Sequence, residues 1–128
     1  MEQGQKRVLD VGNCDADHAK IRHLLTKHFD VVVERARLVD EAIERMRACR
    51  YDLILFNRLI FADGSEGVEL LRRARTEDLA EDTPIMLISN YEEAQAACEA
   101  AGGQRGFGKA ELGDRSTIER LARYLPRR

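Results

Sequence analysis

Tryptophan is absent from this 128-residue chain, and only three tyrosines and four phenylalanines are present. The aromatic residues form no interleaved basic and aromatic motif, so a stacking platform for nucleic acid is excluded. A formal net charge of -2 gives no global pull toward nucleic acid or an anionic membrane. No apolar run approaches the length of a membrane span, and the opening MEQGQKR lacks the apolar stretch of a signal peptide. Three cysteines, Cys14, Cys49 and Cys98, form no close pair and no CxxC. An odd, scattered set reads as reduced thiols in a cytoplasmic protein, without metal binding. The histidines His18, His23 and His28 recur at intervals of five, which is poor ligand spacing on one helical face. There is also no P-loop, no GxGxxG and no nucleophile elbow, so a catalytic enzyme is not expected.

What is present is an alternation of short apolar runs with longer helical patterns. VLDV (8–11), VVVE (31–34), LILF (53–56), IMLIS (85–89) and a weaker stretch near 105–109 read as strands. Between them, Ile21, Leu24, Leu25 and Phe29, then Val39, Ala42, Ile43 and Met46, then Val68, Leu70, Leu71 and Ala74, recur at helical spacing. Residues 91–101 are rich in alanine and glutamate and are stopped by Gly102-Gly103. A last helix is expected over 114–124. Five strands alternating with five helices imply right-handed parallel βαβ units in one domain spanning residues 1–128, with a core at about 6–125. The fold class is therefore α/β: one doubly wound, flavodoxin-like (βα)5 domain with a parallel sheet of order 2-1-3-4-5.

Such a sheet binds ligands beyond the carboxyl ends of its strands, where strand order reverses. The crevice then lies between the first and third strands. Gly12, Asn13 and Cys14 follow the first strand, Asn57 to Leu59 follow the third, and Ser89 and Lys109 end the fourth and fifth.

With Asp52 early in the third strand, Gly67 before the third helix and Ala101-Gly102-Gly103 before the fifth strand, the chain resembles a response-regulator receiver domain of the chemotaxis-regulator type from about Lys6 to Leu125. The resemblance implies acidic magnesium ligands after strand one, a phosphate-accepting aspartate after strand three, a serine or threonine after strand four and a lysine after strand five. Ser89 and Lys109 match the last two as retained phosphate-side positions. The acidic positions fall on Gly12 and Asn13, however, and the phosphoacceptor position falls on Asn57. An amide has no anionic oxygen with which to attack phosphorus and is a weak ligand for a hard cation. The loop after strand three lacks the family's Met-Pro pair, Lys109 is followed by Ala110 rather than proline, and Gly106 stands where an aromatic switch residue is expected, with Phe107 next. Magnesium binding is expected to be weak or absent, and no other cofactor is implied.

Single residues carry two readings each. Lys109 can hold an anion in the crevice or be a surface lysine. Ser89 can donate to a phosphate or cap the following helix. Asp10 interrupts a strand that should be apolar on both faces. It is either a substitute acid that pairs with Lys109 or a locally satisfied polar residue, and the second is favoured. Asp15 and Asp63 sit in cap and turn contexts where aspartate is ordinary. In the resembled family the surface of helix four, strand five and helix five meets partners. Here it would carry Glu92, Glu93 and Phe107 beside Arg115, Arg120 and Arg123, and would suit a protein partner or a second copy. The expectation is a degenerate pseudo-receiver acting through phosphorylation-independent protein contact. The alternatives are a phosphorylatable receiver with Asn57 engineered or bypassed, and an anion or effector crevice at Lys109 and Ser89.

Overall fold

In the computed structural model, residues 5–128 are described. The elements run β1 (Lys6–Val11), α1 (Asp15–His28), β2 (Val31–Ala36), α2 (Val39–Ala48), β3 (Leu53–Asn57), α3 (Val68–Thr76), β4 (Ile85–Ile88), α4 (Glu92–Ala100), β5 (Gln104–Phe107) and α5 (Arg115–Leu121), with a 3-10 turn at Lys109–Glu111. The five strands form one parallel sheet of order β2-β1-β3-β4-β5, as the alternation predicts.

Alternation along each central strand splits the core into two layers. Leu9, Val11, Ile54, Phe56, Ile85 and Leu87 face α2, α3 and α4, where Ile43, Leu71 and Cys98 meet them. Val8, Leu55, Met86, Ile88 and Phe107 face α1 and α5, against Ile21, Leu25 and Leu121. Strands buried on both faces explain the near-continuous apolar runs.

The edge next to β5 is irregular. Met86 pairs with Gln104 and Ile88 with Phe107, so one residue of β4 stands opposite two of β5. This bulge absorbs Gly106, where a Cβ would stand 1.9 Å from the Leu87 carbonyl oxygen. Phe107, expected on the partner face, is thereby turned into the α1/α5 layer and is buried. Lys109 is also displaced from expectation: β5 ends at Phe107, and the lysine opens the 3-10 turn.

Candidate functional site: the carboxyl edge of the sheet

Topology brings Gly12, Asn13, Asn57, Ser89 and Lys109 to one edge, where Asn57, Ser89 and Lys109 line one small crevice and Gly12 and Asn13 lie outside it. Asn57 ends β3 half-buried, and its Nδ2 donates to the Leu59 carbonyl oxygen at 2.5 Å. The amide is thus turned into its own loop. Gly67 packs directly behind it, where a Cβ would stand 2.0 Å from the Asn57 carbonyl oxygen.

The loop after β3 closes on itself. Leu59 bridges Glu66 in antiparallel fashion, and Ile60 N donates to the Ser65 carbonyl at 2.8 Å. Asp63 holds the turn by accepting from Ser65 N at 2.9 Å and Ser65 Oγ at 2.7 Å, the local role its context predicts. Phe61 N then donates to the Gly12 carbonyl at 2.9 Å, tying the loop to the end of β1. This arrangement buries Ile60 completely against Gly12. A Cβ at position 12 would stand 2.4 Å from Ile60 Cδ1, and Gly12 has φ +81°, which disfavours any side chain. Ile60 stands between Leu59 and Phe61, both exposed, and nothing in that apolar run singles out the middle residue as the one that turns inward.

Asp10 is fully buried, and its partner is not Lys109. Its Oδ2 lies 2.6 Å from His18 Nδ1, and its Oδ1 accepts from Asn13 Nδ2 at 2.6 Å. The locally satisfied reading of Asp10 fits this geometry. The pairing with His18 was not anticipated, although positions 10 and 18 lie on a strand and on the helix packed over it. Arg35 of β2, in register with Asp10, donates to the Asn13 carbonyl at 2.9 Å and pairs with Asp15 at 2.8 Å. Asp15, also reached by Arg37, is held below the ordinary carboxylate range by these two guanidinium groups. Asn13 Oδ1 is buried and unbonded among the described residues.

Lys109 Nζ lies 2.7 Å from Asp17 Oδ2, in the first turn of α1. Its hydrogen bond, followed by a weaker one from the Cys14 thiol, holds the Asp17 carboxyl below its usual range against the opposing effect of burial. Ser89 is buried, and its Oγ accepts from Tyr91 N at 3.1 Å, capping the approach to α4. What remains between them is a crevice of about 220 Å³, lined by Asn57, Ser89, Tyr91 and Lys109.

The residues present do not fit a magnesium ion. Gly12 has no ligand atom, Ile60 fills the space beside it, Asp10 is committed to His18 and Asn13, and Asn57 points its amide at Leu59. A hard divalent cation needs several oxygen ligands with some charge among them, and that set is missing.

The partner-face residues are largely engaged within the chain. Arg105 holds Glu92 with two bonds of 2.6 Å and meets Glu99 at 3.1 Å. Glu92 is accordingly held below its ordinary range by that guanidinium. Arg120 donates to the Arg105 carbonyl at 3.1 Å. Glu93, Arg115 and Arg123 are exposed. Gln95, which the sequence did not single out, is buried at the centre of this face. Its Nε2 donates to the Leu87 and Ser89 carbonyls at 3.1 Å each, and its Oε1 accepts from Gly106 N at 2.9 Å. It joins α4, β4 and β5 where an aromatic switch side chain was expected.

No family model and no curated protein matches the chain. Solved structures do. The chemotaxis response regulator CheY4 of Vibrio cholerae is 21% identical with a TM-score of 0.74, over 95% of this chain and 100% of that one. The response regulator TrrA of Thermotoga maritima, solved with Mg(2+)-BeF, is 17% identical with a TM-score of 0.73, over 94% of this chain and 100% of that one. Full-length ShkA in complex with AMPPNP is 26% identical with a TM-score of 0.75, over 94% of this chain but 24% of that one. The chain has the α/β flavodoxin-like fold of response-regulator receiver domains.

Proposed function

We propose that this protein is a non-catalytic pseudo-receiver: a signalling module that keeps the receiver scaffold, lacks the aspartyl-phosphate switch and works by contact with a protein partner. The observation that carries this reading is Ile60 packed onto Gly12, where a metal-binding side chain would have to stand. Receiver phosphorylation needs a carboxylate nucleophile, a cation against the phosphoryl oxygens and free donors. Asn57 supplies no nucleophile, and the Lys109 ammonium is held by Asp17, while Ser89 Oγ accepts from Tyr91 N and keeps its proton to donate. The Lys109–Asp17 pair counts against the alternative of an anion crevice at Lys109 and Ser89. The partner surface in this proposal is the α4–β5–α5 face, with Glu93, Arg115 and Arg123 at its solvent side and the Glu92–Arg105–Glu99 group fixing its centre.

The test is incubation with magnesium and beryllofluoride, and separately with acetyl phosphate. Amide NMR and intact mass are expected to stay unchanged for the natural chain and for Asn57→Asp. A saturable spectral change or a stoichiometric phosphoryl adduct in the natural chain would overturn the proposal.

A further inference from the structure

Beside the carboxyl edge, α3 and α4 leave a groove of about 370 Å³ between them. Its cause is in the sequence. The flank of α4 that lines the groove carries only small side chains: Ala94, Ala97, Cys98 and, past the helix end, Ala101. The side of α3 away from the groove is fastened to α2 through the pairs Arg73–Asp40 and Arg47–Glu77. The floor is apolar, formed by Phe56, Leu87 and Cys98, each nearly fully buried. Burial pushes the Cys98 thiol up to about 11, in keeping with a dry floor.

The rim is not apolar. Arg58 and Glu66 both line the groove, and among the described residues neither has an ion-pair partner. Arg58 stacks on the Tyr91 ring instead, 5.1 Å from its centroid. Arg72, the third charged residue of the lining, is compensated by Glu69 at 2.9 Å. One cation and one anion, both exposed and neither in an ion pair among the described residues, thus share the mouth of an apolar cavity without pairing with each other.

We infer that the α3–α4 groove binds a small apolar zwitterion, specifically an apolar α-amino acid. Its carboxylate would meet Arg58, its ammonium Glu66, and its side chain the Phe56–Leu87–Cys98 floor. A volume of this size accommodates a phenylalanine-sized molecule. A simple apolar acid or amine satisfies only one of the two rim charges. Tyr91 is the residue that precedes α4, so a carboxylate on Arg58 would also be felt where that helix begins. The groove adjoins the carboxyl-edge crevice at Arg58, which lines both, but its apolar floor and Glu66 belong to the groove alone, so its test is independent of the phosphorylation experiment.

The experiment titrates the full chain with L-phenylalanine, 3-phenylpropionate and phenethylamine, followed by amide NMR. Saturable shifts are expected for L-phenylalanine at Val68, Ala94, Ala97, Cys98 and Tyr91, with each single-charge analogue about tenfold weaker. Arg58→Gln should remove the preference over phenethylamine, and Glu66→Gln the preference over 3-phenylpropionate. Ala97→Leu, which fills the groove, should abolish binding while leaving the remaining spectrum and the melting temperature intact. No saturable shift at millimolar L-phenylalanine, shifts centred elsewhere, or equal binding by Ala97→Leu would each overturn the inference.

Discussion

The contact between Gly12 and Ile60 allows a quantitative test of how the carboxyl edge is closed. Gly12→Ala adds one methyl group at φ +81°, 2.4 Å from Ile60 Cδ1. The left-handed backbone costs roughly 1–2 kcal/mol for a residue with a Cβ. Overpacking against a fully buried isoleucine costs about 1–3 kcal/mol more. The sum, roughly 2–5 kcal/mol, corresponds to a fall in melting temperature on the order of 10–20 °C for a domain of this size. Only the backbone part should survive when the isoleucine is trimmed. Ile60→Ala alone is expected to cost about 2–5 kcal/mol through its cavity. The double variant should then be more stable than the sum of the singles by about 1–3 kcal/mol, because the new methyl group enters the space vacated. Urea unfolding of the four proteins, at a common m-value, measures this coupling directly. Additivity within about 0.3–0.5 kcal/mol would refute the packing described for the loop and, with it, the exclusion of a side chain from position 12.

Further outcomes follow from the same edge and its surroundings. Replacing His18 by leucine leaves the fully buried Asp10 carboxylate with Asn13 as its remaining side-chain partner, and should cost about 3–5 kcal/mol. Changing Asp10→Val, His18→Leu and Asn13→Ala together, so that the Asn13 amide is not stranded, should recover part of that loss in a denaturant titration. Asp17 has a depressed folded pKa, so its pairing with Lys109 stabilises the protein above the ordinary aspartate range and is lost as pH falls through the folded value. Lys109→Met should therefore flatten the acid side of the stability profile below about pH 4, with the neutral side less stable than the parent. Gln95→Leu removes three hydrogen bonds and leaves the Gly106 amide and two carbonyls unanswered in the interior. A loss of about 2–4 kcal/mol is expected, with hydrogen exchange accelerated first in α4 and β5.

The architecture was legible because its signal is periodic and redundant. Strand runs such as LILF are apolar on both faces only when helices cover both, and that pattern alone implies parallel βαβ units. Helix and strand limits shifted by one to three residues, the last helix ending at Leu121 rather than at 124, which pattern reasoning does not fix. That Gly12, Asn13 and Asn57 carry no carboxylate was legible by residue type alone. What replaced the site was not. Ile60 reaches Gly12 through a loop closure set by Asp63 and Ser65, and the run Leu59-Ile60-Phe61 does not say which of its three side chains turns inward. Phe107 was assigned to the surface because a bulge cannot be read from a four-residue strand, and one extra residue reverses every side chain beyond it. The partner of Asp10 depended on how α1 lies over β1. Helical spacing gave the face of α1, but not which of its residues stands over position 10.

The Gly12–Ile60 contact also constrains the routes by which the sequence can change. An acid at position 12 is tolerated only after Ile60 has become smaller, yet a smaller residue at 60 first opens a void in the core. Either order passes through a destabilised intermediate, and a domain of this size has only about 5–15 kcal/mol of stability to lose. The contact therefore acts as a ratchet: with the isoleucine seated against the glycine, a single-step change to an acid at position 12 is closed from both directions.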